Sequence, residues 1–203
     1  MPKTPRFPPN RFPANRSRIV DVLAYPGVQL LDVAGPLQAF SSANDLVEAA
    51  HGARPYALRV VARGGTNVIA SSGLGLAVKP LPRAGAPLDT LLIAGGPGVD
   101  AAATDPMLVK WIAQRAAKAR RVASVCTGAF LLGESGVLDG RRAVTHWSYC
   151  TELARRFPKL QVESDPIFVR DGKVWTSAGG TSGLGLVLAL VEECLCRKFA
   201  LAV

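Results

Sequence analysis

Cys126 is the residue whose setting most strongly suggests chemistry. It follows the apolar run RVASV and precedes TGAFLL, a pattern that predicts a strand, a sharp turn and a helix with the thiol at the turn. A helix N-terminus favours the thiolate, so we expect a lowered pKa and the greatest reactivity among the four cysteines. The alternative is a buried core cysteine, the commonest fate of a free thiol. The sequence leaves open whether the Cys126 thiol is catalytic.

His146 is the candidate partner of that thiol. It follows the short apolar run AVT at 143–145. If this run is a strand parallel and adjacent to 121–125, Cys126 and His146 share one edge of a sheet, since neighbouring strands lie about 5 Å apart. The histidine would then act as a base for the thiol or orient it. The alternative is a structural histidine packed beside Trp147.

Gly95 and Gly96 begin the segment GGPG, directly after the apolar run LLIA. Successive glycines let backbone N–H groups approach a ligand closely, so we expect this loop and the turn at Thr127 and Gly128 to bind a ligand. The N–H groups of Gly96 and Thr127 are candidates for an oxyanion hole. The spacing G-x-G-x-x-G is absent, which argues against a nucleotide-binding loop.

Asp32 follows the first predicted strand and should lie at the same edge of the sheet. Its carboxylate could direct a water molecule or accept a proton. The alternative is a simple N-cap of the helix that follows.

The elements that must position these residues alternate along the chain. Strands are predicted at 18–24, 56–62, 88–94, 121–125 and 143–145, and helices at 31–50, 105–119, 127–134, 148–157 and 183–203. Two hairpins are predicted, at 66–78 and 167–176. The pattern indicates an α/β fold with a mostly parallel sheet, helices on both faces and antiparallel hairpins at the edge.

Composition excludes several classes of protein. The chain has 203 residues, of which 49% are hydrophobic and 19% charged, as in one domain with a sizeable core. No apolar run is long enough to span a membrane, and no secretory signal is evident, so we expect a cytoplasmic protein without a membrane partner. Four unevenly placed cysteines and two histidines argue against a disulfide framework, a metal site or a metal cofactor.

The net charge of +9 is concentrated at the N-terminus. Residues 1–18 hold five basic side chains, no acidic one and five prolines, which exclude a regular helix. We expect a disordered basic leader at 1–17 and a domain at 18–203, with a phosphate-binding arm as the alternative. The remainder is not basic enough to indicate nucleic-acid binding, and the basic helix at 108–121 is expected to be solvated.

Four segments carry a resemblance to a known family: YPGVQLLDVAGPLQAF, LLIAGGPGVD, VASVCTGAFLLGESGVLDGRRAVTHW and VWTSAGGTSGLGLVLALVEE. They resemble the ThiJ/PfpI superfamily, whose class I glutamine-amidotransferase-like fold implies a three-layer flavodoxin-like sandwich over about 18–203. Within it, the sequence is similar to the N-terminal domain of AraC-type transcriptional regulators and to isonitrile hydratase.

The resemblance assigns expected roles. Cys126 would be the elbow cysteine, His146 its neighbour, and Gly96 and Thr127 the oxyanion donors. In the hydratase-like group an aspartate matching Asp32 handles substrate and water with the cysteine and threonine. One departure is Gly185, where the regulators usually carry an aspartate, so we expect a carboxylate near the site to be missing.

Three functions follow from these observations. The favoured one is a ligand-sensing domain that forms a homodimer, binds a small-molecule ligand and contacts DNA only through a helix-turn-helix domain not present in this chain. The ending LVEECLCRKFALAV, which looks like the lead into such a domain, supports it. The second is a cysteine-dependent enzyme of the isonitrile hydratase type. The third is a redox-sensing thiol protein.

Overall fold

Apolar runs that are buried on both faces form the centre of a seven-stranded sheet. The computed structural model describes residues 17–51 and 53–203. The strands of this sheet are β1 (Arg18–Leu23), β2 (Tyr56–Ala62), β5 (Lys79–Pro80), β6 (Thr90–Ile93), β7 (Arg121–Val125), β10 (Phe168–Asp171) and β11 (Val174–Ser177). Their spatial order is β10-β11-β7-β6-β1-β2-β5. All neighbours pair in parallel except β10 and β11, which are antiparallel.

Helices cover both faces of the sheet and give the three-layer flavodoxin-like fold that was expected. They are α1 (Leu30–His51), α2 (Val99–Ala103), α3 (Pro106–Lys118), α4 (Gly128–Glu134), α5 (Cys150–Arg156), α6 (Thr181–Cys194) and α7 (Arg197–Ala202). The predicted C-terminal helix is therefore two helices, because the chain leaves the helical conformation at Leu195 and Cys196. The leader predicted at 1–17 lies, apart from Ser17, outside the described residues.

Two short pairs of strands lie outside the main sheet. β3 (Asn67–Ile69) and β4 (Gly75–Ala77) form the first predicted hairpin, but as a separate antiparallel pair and not at the sheet edge. β8 (Arg142–Ala143) pairs with β9 (Gln161–Val162) and not with β7. The condition set for the pairing of Cys126 and His146 is therefore not met: 143–145 does not pair with 121–125, because the neighbours of β7 are β6 and β11.

The basic helix predicted to be solvated carries a buried charge. In α3, Arg115 is fully buried, and its Nη2 donates to Asp21 Oδ2 at 2.8 Å. Asp21, on β1, also accepts a hydrogen bond from Arg59 Nε at 2.6 Å. Arg115 therefore joins α3 to the centre of the sheet, and the interpretation of this helix as a solvated basic surface is wrong at that position.

Candidate functional site

Cys126 lies at a strained turn between β7 and α4, as the sequence predicts. Its φ is +55°, a left-handed conformation that is uncommon for a residue other than glycine. Its N–H donates to Ser177 O at 3.0 Å, and its C=O accepts from the Thr145 hydroxyl at 2.8 Å. Gly128 starts α4 against β6, where a Cβ would lie 2.4 Å from Ile93 O. These contacts fix the elbow from both sides.

The pKa of the Cys126 thiol moves opposite to the expectation. Burial, followed by the charge of Asp32, raises the pKa to about 11. The N–H and hydroxyl of Thr127 act in the other direction but do not outweigh these effects. The prediction of a lowered pKa is wrong because it counted the helix dipole and not the cost of burying the thiolate beside a carboxylate. The group is a neutral thiol near pH 7.

Asp32 is a buried carboxyl that is incompletely satisfied. It is the third residue of α1 and only 1% exposed, so it is not a simple N-cap. Its Oδ2 accepts from the Gly95 N–H at 3.1 Å, whereas Oδ1 has no hydrogen-bond partner among the described residues. Burial raises its pKa to about 6, against the opposing effect of the Gly95 and Gly180 N–H groups. Asp32 therefore titrates closer to neutral pH than an ordinary aspartate does.

The two candidate oxyanion donors have different surroundings. The Gly96 N–H donates to Thr127 Oγ1 at 2.8 Å, and that hydroxyl lies 3.3 Å from Gly96 O. The Gly96 N–H is thus engaged within the protein, whereas the Thr127 N–H acts to lower the pKa of the Cys126 thiol. An incoming oxyanion would meet the Thr127 N–H first, and would have to displace the Thr127 hydroxyl to reach Gly96.

His146 lines the same cavity as Cys126 but does not bond to it. Its Nδ1 contacts the Ser148 N–H at 3.3 Å and the Ser148 hydroxyl at 2.8 Å, at the start of a short 3-10 helix over Trp147–Tyr149. Among the described residues, no hydrogen bond joins His146 to Cys126. The ring also lies 5.6 Å from that of Trp147, between centroids. The structure thus supports the packed-histidine alternative and brings the ring to the cavity wall.

Gly179 and Gly180 are residues of the site that the sequence analysis missed. Gly179 follows β11 with φ +94°, and a Cβ there would lie 2.8 Å from the Cys126 sulfur and 2.5 Å from its Cβ. Gly180 precedes α6 and lines the cavity. A pair of glycines one residue after the end of a strand, in VWTSAGG, was the signal that could have indicated them.

These groups surround a cavity of about 520 Å³ at the carboxyl ends of the parallel strands. Its lining residues are Gln29, Asp32, Gly96, Pro97, Val99, Asp100, Cys126, Thr127, Phe130, His146, Tyr149, Glu152, Arg156 and Gly180. Gly185 is not among them: a Cβ there would lie 3.8 Å from Ile167 Cδ1. The expectation that Gly185 leaves a carboxylate near the site missing stays a prediction.

Acidic groups outnumber basic ones in the cavity wall. Asp32, Asp100 and Glu152 face a single arginine, Arg156. The Arg156 guanidinium is already engaged, with Asp100 and with Glu134 at 2.7 Å each, and it lies 5.6 Å from the Phe130 ring centroid. Within residues 17–51 and 53–203, no group of three or more His, Cys, Asp or Glu side chains could hold a metal ion. No helix in the described part of the chain is long and apolar enough to cross a membrane.

Residues 18–193 match the sequence model of the DJ-1/PfpI family. The chain is 43% identical to a protein in the cpoL 5′ region of Streptomyces lividans over 71% of this chain and 98% of that protein. It is 33% identical to isonitrile hydratase of Pseudomonas putida over 86% of this chain and 71% of the enzyme. It is 32% identical to the HTH-type transcriptional regulator GlxA of Rhizobium meliloti over 81% of this chain. The chain spans about half the length of that regulator, 51%.

Solved structures show the same fold. A ThiJ/PfpI family protein from Pseudomonas syringae superposes with a TM-score of 0.80 at 30% identity, covering 98% of this chain and 79% of the other. An AraC family transcriptional regulator from Pseudomonas putida superposes with a TM-score of 0.76 at 21% identity, covering 91% of this chain and 96% of the other. The expected fold class is confirmed.

Proposed function

This chain belongs to the DJ-1/PfpI family, and on that premise we propose that it is the ligand-sensing, dimerising domain of an AraC-family transcriptional regulator. The observation that carries the proposal is the cavity of about 520 Å³ with the buried Asp32 carboxyl beside a neutral thiol; Asp32 Oδ1 makes no hydrogen bond within 3.5 Å to any residue that the structure describes. A buried acceptor without a partner costs free energy that a ligand can recover. Similarity to HTH-type regulators supports the regulatory role.

The chemistry of the cavity selects the ligand. Asp32 Oδ1 requires an N–H or O–H donor. Asp100 and Glu152 pair with arginines, whereas Asp32 has no arginine partner among the described residues, which favours a neutral or cationic molecule over an anion. The Tyr149 and Phe130 side chains supply apolar wall. We expect a small, donor-rich metabolite. In this proposal DNA is contacted by a separate helix-turn-helix domain, and the domain described here supplies ligand binding and dimerisation.

A thermal-shift screen of small amines, amides and carboxylic acids tests the sensing function. We expect amines or amides to raise the Tm of the wild-type protein. Asp32→Asn should abolish that shift because it changes a carboxylate acceptor into an amide. Asp45→Asn, an exposed position of the same helix α1, is the matched control and should retain the shift. Selective stabilisation by carboxylic acids, or an unchanged shift in Asp32→Asn, would contradict the proposal.

A cysteine-dependent enzyme of the isonitrile hydratase type is the second candidate. It is favoured by the Asp32 pKa of about 6, which suits a proton-transfer group near neutral pH. In that reaction, one water adds to an isonitrile and gives an N-substituted formamide, so Asp32 would relay a proton while Cys126 contacts the isonitrile carbon. Mass spectrometry of an alkyl isonitrile incubated with the protein tests this. Formamide formation that is lost in Cys126→Ser and Asp32→Asn would establish the enzyme.

A redox-sensing role has less support. Oxidation to a sulfenic acid proceeds through the thiolate, and burial keeps Cys126 protonated at neutral pH.

A further inference from the structure

Thr145 lies behind the cavity and bonds directly to the backbone of the elbow. It is fully buried and is not one of the cavity-lining residues. Its hydroxyl donates to the carbonyl oxygen of Cys126 at 2.8 Å. The Ala129 N–H is the other donor near that oxygen, at 3.5 Å, so the threonine makes the shorter contact. A buried hydroxyl thus holds the carbonyl of the one residue besides glycine that has positive φ among the described residues.

The bonded carbonyl belongs to the same peptide unit as the Thr127 N–H. In a planar trans peptide the C=O and N–H point in opposite directions, so fixing one fixes the other. The Thr127 N–H and the Cys126 side chain lie on the same side of the elbow, since a Cβ added at Gly95 would lie 2.7 Å from the Thr127 nitrogen and 2.8 Å from Cys126 Cβ. This N–H acts to lower the pKa of the Cys126 thiol. A hydrogen bond to the carbonyl also polarises the peptide and strengthens its N–H as a donor. Thr145 therefore acts on the Cys126 sulfur indirectly, through the peptide between Cys126 and Thr127.

We propose that Thr145 is a positioning residue that aims the Thr127 N–H at the Cys126 sulfur and thereby stabilises the thiolate and any oxyanion formed beside it. The inference rests on the proposed site, in which Cys126 is the reacting or ligand-contacting group. It also explains why a segment outside the main sheet borders the cavity: the segment that ends in His146 is attached through threonine side chains.

Thr176 provides the matched control. It is almost fully buried on β11, and its Oγ1 accepts from the Val144 N–H at 2.8 Å. It therefore holds the same segment as Thr145 with a bond of equal length. Its hydrogen bond does not involve the peptide between Cys126 and Thr127. If the substitutions only loosen the segment, variants at both threonines should change the reactivity of Cys126. If Thr145 positions the Thr127 N–H, only the Thr145 variants should change it.

The test is the pH dependence of Cys126 alkylation by iodoacetamide, followed by peptide mass spectrometry in a Cys196→Ser background. Thr145→Ala and Thr145→Ser both remove the methyl group, but only alanine removes the hydroxyl. We expect the alanine variant to react about tenfold more slowly than the serine variant at a given pH, which is a profile displaced by about one unit. The pair Thr176→Ala and Thr176→Ser should differ by less than about twofold, since neither changes that peptide.

Equal rates for the two Thr145 variants would overturn the proposal, and so would an equally large difference between the two Thr176 variants. If the alanine variant does not fold, Thr145→Val keeps the side-chain shape and allows the same comparison with wild type. The readout needs no ligand or substrate. If no ligand is found in the screen, this test can still be carried out. If Thr145 proves not to position the Thr127 N–H, ligand binding by Asp32 is unaffected.

Discussion

At the residue scale, burial of the Asp32 carboxyl lowers the stability of the protein at neutral pH and raises the pKa of this group. Its pKa rises from an ordinary 3.8 to about 6 because the carboxyl is buried. Between these values the folded protein binds a proton that the unfolded chain does not, so the stability contribution is fully present below pH 3.8 and is lost as the pH rises through 6. The full loss is about 3 kcal/mol.

Asp32→Asn should therefore be more stable than wild type at pH 8, by up to about 3 kcal/mol, because the amide is neutral at every pH. The difference should shrink as the pH falls from 6 to 4. Urea unfolding at pH 4, 6 and 8 measures it. The exposed control Asp45→Asn should show no such pH-dependent gain, and a gain in Asp32→Asn that is constant with pH would show that charge is not its cause.

The four thiols should react in an order set by exposure and not by the helix dipole. Cys196 is exposed, Cys126 is half-buried with a pKa of about 11, and Cys150 and Cys194 are buried. We expect iodoacetamide at pH 7.5 to label Cys196 first, Cys126 more slowly and the other two only on unfolding. Peptide mass spectrometry over time gives the order. Labelling of Cys126 before Cys196 would restore the original expectation of an activated elbow thiol.

At the element scale, the end of β11 approaches the elbow so closely that only glycine fits. Gly179 has φ +94°, and its missing Cβ would lie 2.5 Å from Cys126 Cβ. Gly64 has a similar φ of +90° in a surface turn with nothing within 4 Å of the added Cβ. Both alanine substitutions should cost about 1–3 kcal/mol of backbone strain.

Gly179→Ala should destabilise the protein by about 1–3 kcal/mol more than Gly64→Ala. Both variants carry the same backbone strain, but the alanine Cβ at position 179 also overlaps Cys126. Thermal unfolding of the two variants isolates that difference. Gly179→Ala should also change the alkylation rate of Cys126, which Gly64→Ala should not. Equal destabilisation of the two variants would mean that the chain around the elbow relaxes without cost.

Some elements of the site could be predicted from the sequence because their signals are local. The buried run before Cys126, the small residues after it and the GGPG segment gave the elbow and its opposing loop. The two-residue strand β8 offers too little periodicity to assign a partner, so its pairing with β9 was missed. The burial of Arg115 depends on Asp21, 94 residues away, which no local pattern reveals.

The direction of the pKa shift at Cys126 also could not be predicted from a local pattern. The helix dipole can be predicted from the position of α4, but the opposing burial and the nearby Asp32 carboxyl depend on how distant segments pack. The sequence therefore indicated which groups meet at the sheet edge and not which of them would be charged.

At the scale of the whole molecule, the buried pair of Arg115 and Asp21 connects a helix layer to the sheet. The two side chains are fully buried and 2.8 Å apart, and the Arg115 Nη1 also contacts carbonyls of the 83–86 loop. Arg115→Met should cost about 1.5–3 kcal/mol, because the buried Asp21 carboxylate loses one of its two arginine partners and keeps only Arg59. The exposed pair of Arg155 and Glu152 is the control, and Arg155→Met should cost much less than Arg115→Met because ion pairs on the surface contribute little to stability. Chemical denaturation compares the two, and equal costs would contradict the assignment.

An apolar surface formed by α1, α6 and the residue before β10 is where we expect a homodimer to form. Its residues are Leu31, Ile167, Leu184 and Gly185, of which Ile167 is 60% exposed. The small Gly185 lets a second helix approach α6 closely. Ile167→Glu should shift the protein to monomer in light scattering. Ile69→Glu is the control, since Ile69 is 57% exposed in the β3–β4 hairpin. A dimer that persists in Ile167→Glu would place the interface elsewhere.

The strand order also sets when the cavity can exist during synthesis. The central strand β7 lies between β6, made just before it, and β11, made about 50 residues later. At typical rates of about 5–20 residues per second, the ribosome holds Cys126 for several seconds before Gly179 and Gly180 emerge to close the wall behind it. Throughout that interval the nascent chain carries an open thiol beside an unfinished sheet edge. The newly made protein therefore passes through a stage in which Cys126 is more accessible to modification than in the folded protein, where it is half-buried.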